Sequence, residues 1–243
     1  MTIFVIGNSL TQDTIPLQYG ADFHILPNSG LQAIYDSPNH ASNLVGTTQW
    51  DTAFAATQYD QVSVQPYKTG AEPNSIATNV TVISNWVTLQ PSAQFILHTA
   101  WAPFADQDAD YSSTDISGGL VWSRMYYEEL ISQLRTANPS TSFLVNPAIN
   151  VMESINQDIK RGIGPYTALS DLFRDTLHMG DQGGYYLQHN LMRRTLGASQ
   201  TTANSSTFSD PIRLYLDEKI RSAVPIGIPF TPANGVSQSY GGL

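Results

Sequence analysis

Short apolar runs alternate along this chain with longer stretches in which apolar residues return every three or four positions. Ile3-Phe4-Val5-Ile6 opens the series: four apolar residues, three of them β-branched, predict a buried strand that Gly7 breaks. Further strands are predicted over 22–26, ended by Pro27, and over 61–65, which alternates apolar and polar residues up to Pro66. Two more are predicted over 95–99 and 142–146. The 3.6-residue pattern predicts helices over 50–57, 72–89, 119–137, 148–160, 185–196 and 211–223. Residues 11–19 read as a helix made short or irregular by Pro16, and 34–46, punctuated by Asn, Ser and Pro, read as loop. The stretch 101–118 has no periodicity and is long for a plain connection, so an insertion shaping a pocket is expected there. Strands alternating with helices predict an α/β fold, a parallel sheet with helices on both faces.

At 243 residues the chain suits one full-sized domain over 1–224. Proline, glycine and serine dominate 225–243, which predicts an extended or disordered tail. Charged residues make up 13%, well below the usual quarter, and the net charge is −9. That balance argues against nucleic acid or an anionic membrane surface as a partner and suits a neutral or cationic small molecule. The chain has no cysteine, which excludes disulfides, thiolate catalysis and cysteine-bound metal. No apolar run approaches the length of a bilayer span. The chain opens almost directly on its first strand, as in a cytoplasmic protein or an exported one whose signal peptide has been removed. The low-charge, Asn/Thr-rich composition leans toward an exported bacterial protein.

Ser9 stands two residues beyond Gly7, at the carboxyl edge of the first strand and the start of the next helix. Open α/β sheets place their ligands at such edges, and a helix N-terminus favours developing negative charge. The alternative is that Ser9 merely caps the helix. A serine hydroxyl needs a base to become a nucleophile, usually an imidazole, and that imidazole needs an acid to hold its tautomer. Asp175-Thr176-Leu177-His178 supplies acid and base within one turn of chain. His189 is a second candidate base without a carboxylate three or four residues away, and Asp181 a second candidate acid on the other side of His178.

Gly7-Asn8-Ser9-Leu10 resembles the Gly-Asp-Ser-Leu block that opens SGNH (GDSL-type) hydrolases, and Asp175-x-x-His178 resembles their last block. The resemblance spans about residue 3 to about residue 197. It implies a flavodoxin-like three-layer α/β/α sandwich around about five parallel strands. It also implies ester hydrolysis without a cofactor, with Ser9 as nucleophile, His178 as base and Asp175 as its orienting carboxylate. Gly30, after the second strand, matches the family glycine whose N–H serves the oxyanion hole alongside the N–H of Ser9; turn geometry alone is the other reason for a glycine there. The third block departs from the family pattern. Val64-Gln65-Pro66-Tyr67 stands in place of Gly-x-Asn-Asp, so the third oxyanion donor is expected from Gln65, with Tyr67 as runner-up.

Asn8, Tyr67, His98 and Trp101 are candidates to line the substrate pocket, although a satisfied core histidine is the better reading of His98. Asp106, Asp108 and Asp110 resemble the first ligands of a calcium loop, but Tyr111 stands where glycine is required and Ser117 where the bidentate Glu belongs, so a solvated acidic loop is expected and no metal. A short acyl group is expected, since the sequence carries no signal of a long apolar groove, and the family, which also includes lipases, arylesterases and thioesterases, makes an O-acetyl ester on carbohydrate the first candidate. Two other functions fit the same residues: an acyltransferase using the same triad, and a non-catalytic carbohydrate-binding module on the same fold, which the altered third block would suit.

Overall fold

Strands β1 (Ile3–Gly7), β2 (Asp22–Ile25), β3 (Gln61–Val64), β4 (Gln94–His98) and β5 (Phe143–Asn146) form one sheet in a computed structural model. All neighbours pair in parallel, in the order β2-β1-β3-β4-β5. The structure describes residues 1–41, 44–67, 75–114, 116 and 122–223. The expected tail over 225–243 lies outside them, as do the predicted starts of the helices at 72 and 119.

Period-2 alternation divides each strand between two faces. Phe4, Ile6, Val62, Val64, Phe95 and Leu97 belong to one apolar core, with Trp50 of α3 (Trp50–Ala56), Trp86 of α4 (Ile76–Leu89) and Leu130 of α6 (Arg124–Ala137). Val5, Phe23, Ile25, Ile96 and Leu144 belong to the other, with Met192 of α8 (Gly184–Thr195). The result is the expected three-layer α/β/α arrangement. Order in the sheet reverses at β1, which is flanked by β2 on one side and β3 on the other. The crevice beyond the carboxyl ends of β1 and β3 is therefore the topological switch point, where open α/β sheets bind ligands. Ser9 follows β1 and Gln65 follows β3.

Three expectations change. The helix over 11–19 is instead α1 (Ser9–Gln12) and a separate 3-10 turn, Pro16–Tyr19. Ile15 between them adopts a left-handed φ of 54°, which breaks the helix just before the proline. The loop over 34–46 begins inside a helix, α2 (Leu31–Asp36), whose Leu31 and Ile34 are buried. The aperiodic stretch after residue 101 holds the short helix α5 (Gln107–Ser112). Its Asp108 is exposed, as expected of a solvated acidic residue, but it sits on this helix and not in a loop, where it accepts from Asn156 at 2.7 Å and pairs with Lys160, both on α7 (Ala148–Lys160).

Candidate active site

The turn from strand to helix after Gly7 is built around a side-chain contact. A Cβ on Gly7 would lie 2.0 Å from Oγ1 of Thr11 and 3.1 Å from Cβ of Gln65. Glycine is thus required by close approach. Thr11 folds back over it and donates to Oε1 of Gln65 at 2.5 Å. Asn8 is the cap of α1, and its Oδ1 accepts from the N–H of Leu10 at 3.0 Å. Ser9 therefore does not cap the helix. It is the first helical residue, where backbone N–H groups have no intrahelical acceptor, and its hydroxyl is free to engage another partner.

That partner is His178. Nε2 of His178 lies 2.9 Å from Oγ of Ser9, a contact spanning 169 residues of sequence. On the other side of the ring, Nδ1 lies 2.9 Å from Oδ2 and 3.1 Å from Oδ1 of Asp175. Oδ1 of Asp175 also accepts from the N–H groups of Leu177 and His178, both at 2.8 Å. Partial burial would raise the Asp175 carboxyl, but those two N–H groups and the imidazole outweigh it and hold the group down at about 2. Asp175 is about half exposed and His178 a quarter exposed, so the three-residue relay opens to solvent.

The turn carrying Asp175 and His178 is gripped from several sides. Nε1 of Trp101 donates to the carbonyl of Leu177 at 2.8 Å, and the N–H of Phe104 donates to that of Thr176 at 3.2 Å. Phe173 and Met179 form an isolated antiparallel bridge across its base. Glycines then let α8 close on it: a Cβ on Gly184 would lie 2.1 Å from the carbonyl oxygen of Leu172.

Other candidates fall in different places. Gly30 is buried at the cap of α2 with φ −77°, a backbone that any residue adopts. The left-handed position of that turn belongs to Asn28, φ 57°, so turn geometry does not explain the glycine. Gln65 is wholly buried, and with Oε1 engaged by Thr11 its Nε2 is a donor without a partner among the described residues. Nδ2 of Asn8 is in the same condition. Tyr67 is buried, its ring edge-on to Trp122 at 6.2 Å. Trp101 is wholly buried as a brace for the turn. His98 is a core histidine but not a satisfied one: neither ring nitrogen has a partner among the described residues, and burial pushes its pKa down to about 3. His189, the second candidate base, points Nδ1 at the carbonyl of Thr14 at 2.8 Å.

No protein-family model matches the sequence, and no curated protein does. Among solved structures, the chain is similar to a lipase/acylhydrolase from Enterococcus faecalis at 15% identity, over 81% of this chain and 95% of that one, with a TM-score of 0.48. It is similar to a catalytic mutant of an acetylxylan esterase from Geobacillus stearothermophilus at 12% identity, over 82% and 95% of the chains, with a TM-score of 0.49. A member of the lipolytic G-D-S-L family from Veillonella parvula is similar at 13% identity, over 80% and 97%, with a TM-score of 0.47. Each likeness is distant.

Three residues of this neighbourhood escape a reading by motif: Thr11, Asp13 and Arg174. Each acts on a partner more than fifty residues away. The available signals were Thr11 four residues beyond Gly7, Asp13 four beyond Ser9, and Arg174 beside Asp175.

Proposed function

We propose that the protein is a serine ester hydrolase of the SGNH type, acting on short-chain carboxylic esters. The observation that carries this reading is the unbroken relay from the Asp175 carboxylate through the His178 ring to the Ser9 hydroxyl, with both links at 2.9 Å. A relay of this kind activates an otherwise poor nucleophile. A binding module has no need of it.

In this mechanism Nε2 of His178 takes the proton of Ser9 as Oγ bonds to the ester carbonyl carbon. The carbonyl oxygen becomes an oxyanion facing the N–H groups of Ser9 and Gly30, with Nε2 of Gln65 as third donor. Asp175 keeps the proton of the ring on Nδ1 and stabilises the imidazolium. His178 then protonates the leaving alcohol as the C–O bond breaks, which leaves an acyl group on Ser9. A water gives its proton to His178 and attacks that acyl carbonyl. Collapse releases the carboxylic acid and returns the proton to Ser9. Acetyl groups on carbohydrate are the proposed natural esters.

The test is p-nitrophenyl acetate hydrolysis together with labelling by a fluorophosphonate, read by intact mass. The wild type is expected to turn over the ester and to take up one label on Ser9. Ser9→Ala is expected to lose label and at least about 10³-fold in kcat. Equal rates for the two proteins would overturn the reading.

A further inference from the structure

We propose that Asp13 is a positioning residue that sets the distance between Ser9 and His178, with Arg174 as its partner. The inference rests on the hydrolase reading for its consequence in rate, but its geometry stands apart from it. Asp13 ends α1, and its N–H bonds back to the carbonyls of Ser9 and Leu10 at 3.3 and 3.2 Å. Its carboxylate is therefore held rigidly one helical turn from the nucleophile. Only 1% of the side chain is exposed.

Each carboxylate oxygen reaches the segment that carries the base. Oδ2 accepts from the N–H of Met179, the residue after His178, at 2.8 Å. Oδ1 accepts from Nη1 of Arg174 at 2.9 Å, and that same nitrogen donates to the carbonyl of Met179 at 2.8 Å. Nη1 also meets the hydroxyl of Tyr185, whose ring lies beneath the guanidinium at 5.4 Å. The backbone N–H of Arg174 donates to the carbonyl of His178 at 2.9 Å. One buried carboxylate thus grips the chain on both sides of His178, while Trp101 and Phe104 hold the same turn to the segment after β4. Asp13 is the group that ties the turn to the helix bearing Ser9.

The two reacting groups are remote in sequence, and a slip of about 1 Å at such a contact costs on the order of 100-fold in rate. Burying the Asp13 carboxylate is costly for mere stability, because an apolar group of similar volume often serves as well. Its value lies in fixing one register between two elements.

Asp13→Asn keeps the size of the side chain and one acceptor for Met179 while removing the charge. Expected are a fall in kcat of about 10–100-fold with KM changed less than about threefold. The Nδ1–H resonance of the His178 ring, followed by NMR and assigned with His178→Gln, is expected to move as the ring shifts relative to Ser9 and Asp175. A purely structural role would lower Tm and leave both readouts at wild-type values, which would overturn the proposal. If Asp13→Asn fails to fold, Arg174→Gln is measured the same way. Removing the cation is expected to move the same ring resonance and lower kcat, and an unchanged resonance and kcat would again overturn the proposal. Because the NMR readout needs no turnover, a wild type without esterase activity but with a shifted His178 in the variants would sink the hydrolase reading and leave the clamp standing.

Discussion

The hydroxyl of Thr11 donates to Oε1 of Gln65 at 2.5 Å, directly over the missing side chain of Gly7. An amide has one acceptor and two donor hydrogens, so engaging the oxygen decides which end of Gln65 is left to act. If Nε2 is the third oxyanion donor, Gln65→Ala is expected to lower kcat by about 10²–10³ with little change in KM. Thr11→Val releases the amide to rotate and is expected to cost a smaller factor, about 10-fold. Steady-state kinetics on both variants checks the pair, and an unchanged kcat in Gln65→Ala would assign the donor elsewhere.

Asp175 is held ionised by two backbone N–H groups as well as by the imidazole. Its folded-state value of about 2 lies below the ordinary 3.8, so its contribution to stability is fully present above that ordinary value and fades as pH falls toward 2. Asp175→Asn retains an oxygen for the N–H groups of Leu177 and His178 but no longer selects the proton on Nδ1. A loss of kcat of up to about 10⁴ is expected with a modest fall in Tm, the part that the charge supplies. Asp175→Ala is expected to lower Tm further, because the turn loses its internal acceptor as well. Rate and thermal melting measured together separate the two effects.

His98 gives the opposite pH dependence in origin and the same one in sign. Its folded-state pKa, pushed to about 3 by burial, lies below the ordinary 6.5. The unfolded chain therefore binds the extra proton first, and stability is lost as pH falls from about 6.5 to about 3. Acid unfolding of His98→Phe is expected to have a lower pH midpoint than the wild type. A midpoint that did not move would show that the carboxylates alone set acid sensitivity.

Gly184 abuts backbone, the carbonyl oxygen of Leu172, which has no free end to swing aside. Gly184→Ala is expected to destabilise by ~1–3 kcal/mol, roughly 3–10 °C in Tm, and to lower activity by loosening the base turn. Gly197 is the control: it has open space around its Cβ position and only a left-handed φ of 76° to strain. Gly197→Ala is expected to cost less and to leave kcat unchanged.

The strands and the long helices were legible because their patterns are local: Ile3–Gly7 and Arg124–Ala137 carry their burial in their spacing. Ser9, Asp175 and His178 were legible as blocks of a few residues. The break at Ile15 was not, since a β-branched residue in a left-handed conformation is an exception that tertiary contacts impose. Asn8 caps α1 through Oδ1, a role that a short polar side chain does not announce beside that of a pocket residue. Trp101 braces the base turn, and no periodicity announces its hydrogen bond to Leu177. His98 and Asn146 are register partners on neighbouring strands, and each carries a buried atom without a partner among the described residues.

Among the described residues the last strand of the sheet ends at Asn146, yet the imidazole that meets Ser9 arrives only at position 178, beyond the exposed turn at 161–165. On the proposed mechanism, cutting the backbone after Arg161 would divide the molecule into a piece with the nucleophile and a piece with the base, neither chemically competent alone. Ester turnover would then report reunion of the halves, making this turn a natural place to split the protein into a two-part sensor.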